Sequence, residues 1–191
     1  MKRFILRASK SWLHFLVVGT LLSVGLGMQR NPTPQQGPGR RLEVLFLGHV
    51  SRLHPSDSAA SFLVPALSKE GINFSYSTDP NDLNALNLAK YDALLVYANH
   101  DSITPPQEKA LLDFVESGKG YVAIHSASHS FRNSQRVMAM TGGQFDRHGT
   151  GTFTAITTNP SHPVMQGLQP FETWDESFIH KNNNPDGVLV L

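Results

Sequence analysis

Three short apolar runs constrain this chain most, because each one ends in a cluster of polar, titratable residues. LEVLFLG at 42–48 is followed by His49, Ser51 and His54, and YDALLVY at 91–97 by Asn99, His100 and Asp101. YVAI at 121–124 is followed by His125, Ser126, Ser128 and His129. Short, nearly continuous apolar runs fit strands buried on both faces. Amphipathic stretches of helical spacing lie between them, so the predicted class is α/β, a parallel sheet with helices on both faces. Right-handed crossovers place the carboxyl ends of all such strands along one edge. The fold is therefore expected to gather His49, His54, His100, His125 and His129 there, where open α/β sheets bind ligands.

The punctuation between the runs supports this order. Ser56 or Asp57 is a candidate cap for a helix over about 58–69, stopped by Gly71, with Pro65 predicting a kink or a late start. Residues 72–77 alternate as a second strand. Thr104-Pro105-Pro106-Gln107 combines a cap, a proline at the first helical position and a capping-box Gln, so a helix is expected from there to Gly118. A further helix is expected over 136–140. Beyond Gly149 the pattern changes: 151–158 alternates as an antiparallel or edge strand would. A Pro- and Gly-rich passage carries His162, and 173–179 brings Trp174, Asp175 and Glu176 together. Residues 188–191 read as a strand without a closing turn, an expectation of a domain incomplete at its C-terminal end.

The beginning of the chain has a different composition. Residues 1–27 combine a basic start with an apolar segment and the small residues Gly25 and Gly27, which predicts an export signal, with an uncleaved membrane anchor as the alternative. Residues 28–41 are rich in Pro, Gln and Gly and read as a linker. Lys2, Arg3, Arg7 and Lys10 account for the formal charge of +1; without them 12 basic residues face 15 acidic ones, so no basic surface suggests nucleic acid. The chain has no cysteine, which excludes a thiol nucleophile, a disulfide framework, a thiolate-bound metal and a lipoprotein attachment.

These residues bear on several chemistries. Ser126 stands where a nucleophile elbow would place its serine, but Ile124 occupies the position of the first glycine. The G-x-S-x-G pattern is not met, and a hydroxyl capping the next helix is the simpler reading. Gly118-Lys119-Gly120 precedes a strand, whereas a phosphate loop follows one. The nine histidines include no H-E-x-x-H, and a divalent metal is left open without an assigned ligand set. General acid–base chemistry is the third option, because histidine titrates near neutrality and Asp175 or Glu176 supplies a carboxylate. Trp174 is either a platform for a sugar ring or part of the core.

Four ordered strings then carry a resemblance: GKGYVAIHSAS at 118–128, GGQFDRHGTG at 142–151, SHPVMQGL at 161–168 and TWDESF at 173–178. In this order and spacing the chain resembles the ThuA-like (trehalose utilisation) family from Leu42 to its end. The resemblance implies a flavodoxin-like, class I glutamine-amidotransferase-like fold. His125-Ser126 stands at the turn where amidotransferases carry their cysteine, so glutamine hydrolysis is not expected. The family is associated with disaccharide use through 3-keto sugars, and exported members are often fused to haem-binding or dehydrogenase modules. Its recurring polar positions map here to His54, His125, His148, His162, Asp175 and Glu176.

The expectation is that His125, His148 and Glu176 carry acid–base chemistry on a keto-sugar, enolising, isomerising or cleaving it. His54, Ser126, His162, Trp174 and Asp175 are expected to hold the carbohydrate. The alternative is a non-catalytic sugar-binding or docking module for a haem-binding or dehydrogenase partner.

Overall fold

The computed structural model describes residues 39–184. The expected export segment, nearly all of the linker and the expected strand at 188–191 lie outside the described residues. Four strands form a parallel sheet: β1 (Leu42–Gly48), β2 (Ile72–Ser77), β3 (Ala93–Tyr97) and β4 (Gly120–Ala123), in the order β2-β1-β3-β4. Four helices accompany it: α1 (Ser56–Ser68), α2 (Ala85–Leu88), α3 (Pro105–Glu116) and α4 (Gln135–Thr141). The remaining strands, β5 (Gln144–Ala155) and β6 (Phe171–Lys181), pair only with each other as an antiparallel ribbon. No described helix is long and apolar enough to cross a membrane.

Side-chain alternation on the central strands explains why both faces are covered. Leu45, Leu47, Leu94 and Val96 point to one side, where they pack with Leu88, Leu111, Phe114 and Val137 of the helices. Val44, Phe46 and Leu95 point to the other, against Ala60, Leu63 and Val64 of α1. At the amino end of the sheet the Asp92 carboxylate accepts the Glu43 N–H at 3.0 Å and pairs with Arg40. Both interactions hold its pKa below the usual carboxylate range.

The helix signals hold in part. Thr104 N–H donates to Gln107 Oε1 at 2.9 Å, so the expected capping box starts α3. Gly118, at φ 89°, ends the helix in a conformation that favours glycine. Helix α1 starts earlier than predicted and runs through Pro65. Ser61 and Pro65 are both exposed, so water can serve the carbonyl that loses its N–H partner. Neither Ser56 nor Asp57 is the cap, because Pro55 takes that position. Ser56 is instead fully buried; its hydroxyl accepts the His49 N–H at 2.8 Å and meets the Tyr76 hydroxyl at 2.9 Å. Ser126 does not cap the next helix either: Ser134 does, accepting the Val137 N–H at 3.1 Å.

A two-stranded ribbon is marginal on its own in water. This one is docked onto the carboxyl edge of the sheet by aromatic contacts. The Phe178 ring lies 4.5 Å from His125 and 4.6 Å from Phe145, and Phe145 lies 5.1 Å from His129. Strand β5 is longer than its alternating sequence predicts and carries a register shift between Phe145 and Arg147. Phe145 and His148 are an odd number of residues apart and would face opposite ways on a regular strand. The bulge turns both toward the histidines of the sheet edge.

Candidate functional site

Three of the four parallel strands, β1, β3 and β4, each deliver one part of the site. Beyond β1 the chain turns through an isolated Val50–Pro55 bridge and brings His54 back over the sheet, its backbone N–H bonded to Ser51 Oγ at 3.0 Å. Tyr97 ends β3, and Asn99 stands just beyond it. Beyond β4, His125 begins a 3-10 turn (His125–His129) with φ at 48°, a left-handed conformation uncommon for a side chain of its size. Such local strain recurs where a side chain must be aimed at a fixed point. The ribbon closes the site from the other side with His148, Glu176 and Phe178.

These residues converge on the Glu176 carboxylate. His125 Nε2 lies 3.5 Å from Glu176 Oε2, and His148 Nε2 lies 3.7 Å from Oε1. One carboxylate therefore stands between two imidazoles. The His54 ring packs 5.1 Å from that of His125, and Tyr97 lies 6.1 Å from His125. A cavity of about 190 Å³ opens beside them, lined by His54, Asn99, Ser126, His129, His148 and Glu176, with Leu53, Phe145 and Phe178 as its apolar wall. A larger and more open hollow of about 520 Å³ borders α3 near Asn81 and Thr104. Its only charged groups, Lys109 and Asp113, pair with each other, and it holds no histidine. A third hollow, of about 320 Å³, shares Phe178 with the smaller cavity and is lined by His125, Ser128 and His180, so His125 borders this hollow while His54, His148 and Glu176 border the cavity.

Burial lowers the pKa of His54, and the neighbouring His125 lowers it further against the opposing pull of Glu176. His54 thus favours the neutral form, able to accept or donate. Burial raises the pKa of Tyr97, and the charges of Asp175 and Glu176 add to the effect, so its hydroxyl stays protonated. Burial also lowers His129, with the Arg132 guanidinium next in effect. His54 Nδ1 and Ser126 Oγ are buried and have no hydrogen-bond partner among the described residues. Unpartnered buried polar atoms are uncommon, and two at one cavity mark it as a place where something polar binds.

Of the predicted site residues, His54, His125, Ser126, His148 and Glu176 come together. Three do not join them, and His125 itself borders the neighbouring hollow and not the cavity. His162 lies in the loop between β5 and β6, where its Nδ1 accepts the Val164 N–H at 3.3 Å and caps a short 3-10 turn. The local bond explains why the residue stays with its own loop. Asp175 sits next to Glu176 on the ribbon and is exposed; it does not line the cavity, although its charge reaches Tyr97. Trp174 shares the face of Glu176 but lies farther along the ribbon and is 70% exposed, so it is not core.

His49 and His100 stack on each other at 5.0 Å, with His100 Nε2 3.2 Å from the Gly48 carbonyl oxygen; neither lines the cavity. Among the described residues no three His, Asp or Glu side chains are arranged to hold a metal ion. Sequence reasoning did not assign Phe178, Phe145 or His180, whose Nε2 lies 3.1 Å from Ser128 Oγ. A period-two reading of 176, 178 and 180 carries that signal on β6, while the bulge hides it on β5.

No curated protein matches the chain. Two solved structures share its fold, both of ThuA-like proteins. The one from Bacteroides uniformis has a TM-score of 0.65 and 17% sequence identity over 81% of this chain and 67% of its own. The one from Parabacteroides merdae has a TM-score of 0.61 and 15% identity over 72% of this chain and 62% of its own, so the chain spans roughly two thirds of the length of these neighbours. The shared architecture is the parallel α/β sheet that the apolar runs predict, in agreement with the flavodoxin-like, glutamine-amidotransferase-like fold that the resemblance implies. The family model for ThuA, trehalose utilisation, matches residues 43–191, and the chain belongs to that family.

Proposed function

We propose that the protein serves disaccharide utilisation by acid–base chemistry on a 3-keto sugar. A ketone at carbon 3 acidifies the hydrogen on carbon 2. A base that removes this proton leaves its electron pair to form the C2–C3 double bond, and the carbonyl oxygen takes the negative charge. Reprotonation of carbon 2 on the opposite face inverts that centre and isomerises the sugar. Alternatively, the enolate re-forms the ketone, its electron pair makes a C1–C2 double bond, and the C1–O bond breaks to expel the glycosidic oxygen, which takes up a proton as it leaves.

The observation that carries this reading is Glu176 between His125 at 3.5 Å and His148 at 3.7 Å. Elimination needs a base and then an acid, and a carboxylate bridging two imidazoles moves a proton from one to the other. In this account His125 is the base, Glu176 the shuttle and His148 the acid. His54 and Ser126 hold the sugar. The amidotransferase reaction has no place here, because the turn carries His125-Ser126 instead of a thiol.

Export through residues 1–27 is part of the proposal, since a basic start followed by an apolar segment fits a signal. The test is the incorporation of deuterium at carbon 2 of 3-keto-trehalose in heavy water, followed by proton NMR. Exchange catalysed by the protein supports the reading, and none with or without an added divalent cation overturns it.

A second reading is a sugar-binding module that docks to a haem-binding or dehydrogenase partner without turnover. Trp174 favours it, because an aromatic ring 70% exposed on the ribbon, on the same face as Glu176, suits a sugar or a partner surface. This reading expects binding by calorimetry without exchange, and unaltered binding in His125→Ala.

A further inference from the structure

A chain of hydrogen bonds outside the His125–Glu176–His148 group ends at the same cavity. It starts at Asp101, which pairs with Arg132 Nη2. Arg132 Nη1 lies 3.0 Å from His129 Nε2, and His129 Nδ1 lies 3.0 Å from Asn99 Oδ1. A guanidinium only donates, so His129 Nε2 must accept. The imidazole then carries its proton on Nδ1 and donates it to Asn99. This identifies the Asn99 atom facing His129 as its oxygen, and leaves the Asn99 NH2 group free to donate elsewhere. No described group takes those hydrogens.

The backbone around Asn99 is equally fixed. Ser130 Oγ donates to the Ala98 carbonyl at 2.7 Å and accepts the His100 N–H at 3.2 Å, while the Phe131 N–H donates to the His100 carbonyl at 2.7 Å. Asn99 is thus clamped on both sides by the turn that follows β4. Ser126 lines the same cavity, is only 2% exposed, and its hydroxyl has no partner among the described residues.

We propose that Asn99 and Ser126 form an oxygen-binding subsite, two hydrogen-bond donors for the ketone oxygen of a keto-sugar, with Arg132 and His129 as positioning residues. The subsite rests on the enolisation reading for its ligand class. It deepens that reading, because donors aimed at the carbonyl oxygen stabilise the charge that develops there as the C2–H bond breaks. A ketone oxygen accepts only, so it matches a subsite whose fixed partner donates. A hydroxyl at the same carbon both donates and accepts, and is discriminated less.

The test compares 3-keto-trehalose with trehalose by calorimetry on the full chain. Asn99→Asp keeps an oxygen for His129 and turns the donor into an acceptor. It is expected to weaken ketone binding about tenfold or more, roughly one lost hydrogen bond, with a smaller loss for trehalose, whose hydroxyl can donate to the new acceptor. Ser126→Ala and Asn99→Ala are expected to weaken the ketone in the same direction, which covers a failure of Asn99→Asp to fold.

Long-range proton–nitrogen NMR of the unliganded protein is expected to show His129 protonated on Nδ1. Arg132→Gln is expected to lose that single tautomer and Arg132→Lys to retain it, a change that a purely structural arginine would not produce. Equal ketone binding in the Asn99 and Ser126 variants, or a His129 proton on Nε2, overturns the subsite even where deuterium exchange persists. Selective loss of ketone binding in a protein that shows no exchange upholds the subsite and overturns enolisation. No ketone binding by the unaltered protein overturns both.

Discussion

Phe178→Ala tests how the site is assembled. Phe178 is half-buried and touches His125 and Phe145 with ring centroids 4.5 and 4.6 Å apart. Burying a whole phenylalanine contributes about 1.5–3 kcal/mol, so a half-buried ring contributes nearer 1 kcal/mol from area alone. Aromatic pairs add about 0.5–1.5 kcal/mol each. Truncation is therefore expected to cost the docking of the ribbon about 2 kcal/mol, which raises the undocked population about 30-fold, at 1.4 kcal/mol per tenfold.

The cost should be local, because β1 and β3 are buried by other contacts. Native-state hydrogen exchange resolves this: amides of β5 and β6 are expected to exchange about 30-fold faster, and those of β1 and β3 at their original rate. An equal acceleration in both sheets would show that the ribbon and the parallel sheet unfold as one unit. An unchanged ribbon would show that Phe178 does not hold it. Either result refutes the docking argument.

Three other perturbations have defined outcomes. A Cβ at Gly48 would lie 2.5 Å from Ser56 Oγ and 2.6 Å from the Tyr76 ring, so Gly48→Ala should lower stability by about 1–3 kcal/mol in urea unfolding. Pro65→Ala restores an N–H in the middle of α1 and should raise stability by about 1 kcal/mol, after the loss of proline's effect on the unfolded chain is counted. Burial lowers the pKa of His54, His100 and His129, assisted by His125, His49 and Arg132 respectively. Below the unfolded histidine pKa of about 6.5 the unfolded chain therefore binds more protons than the folded one. Stability should fall as pH drops from 7.5 through that value, and the urea midpoint measured across this range should fall less in His100→Gln.

The parallel sheet was legible because the runs of its two inner strands, β1 and β3, are nearly all apolar, and because topology alone sends the carboxyl ends of parallel strands to one edge. The third run was expected to be buried on both faces, but β4 stands last in the strand order and Val122 is 48% exposed. His54, His125 and Ser126 could be placed near one another on that argument. The ribbon was harder. Its strands are exposed over most of their length, so burial periodicity is weak, and a bulge between Phe145 and Arg147 breaks the count that would have aligned Phe145 with His148. His162 illustrates a different limit. A histidine in a proline-rich loop reads as a candidate ligand, and only the local bond to Val164 reveals a cap. Ser126 was read as a cap for the same reason, and its lack of any partner is a three-dimensional fact that no spacing encodes. Asn99 was visible at the end of β3, but its role depends on Arg132, which reaches it through His129 from 33 positions away.

The central claim is that Glu176 passes a proton between His125 and His148. The most direct measurement is the rate of deuterium incorporation at carbon 2 of 3-keto-trehalose, compared between the unaltered protein and Glu176→Gln, which keeps the size of the side chain and removes its charge. The account predicts measurable exchange that falls about 100-fold or more in the variant, with ketone binding retained. Exchange at the same rate in Glu176→Gln, or none in the unaltered protein, would contradict it.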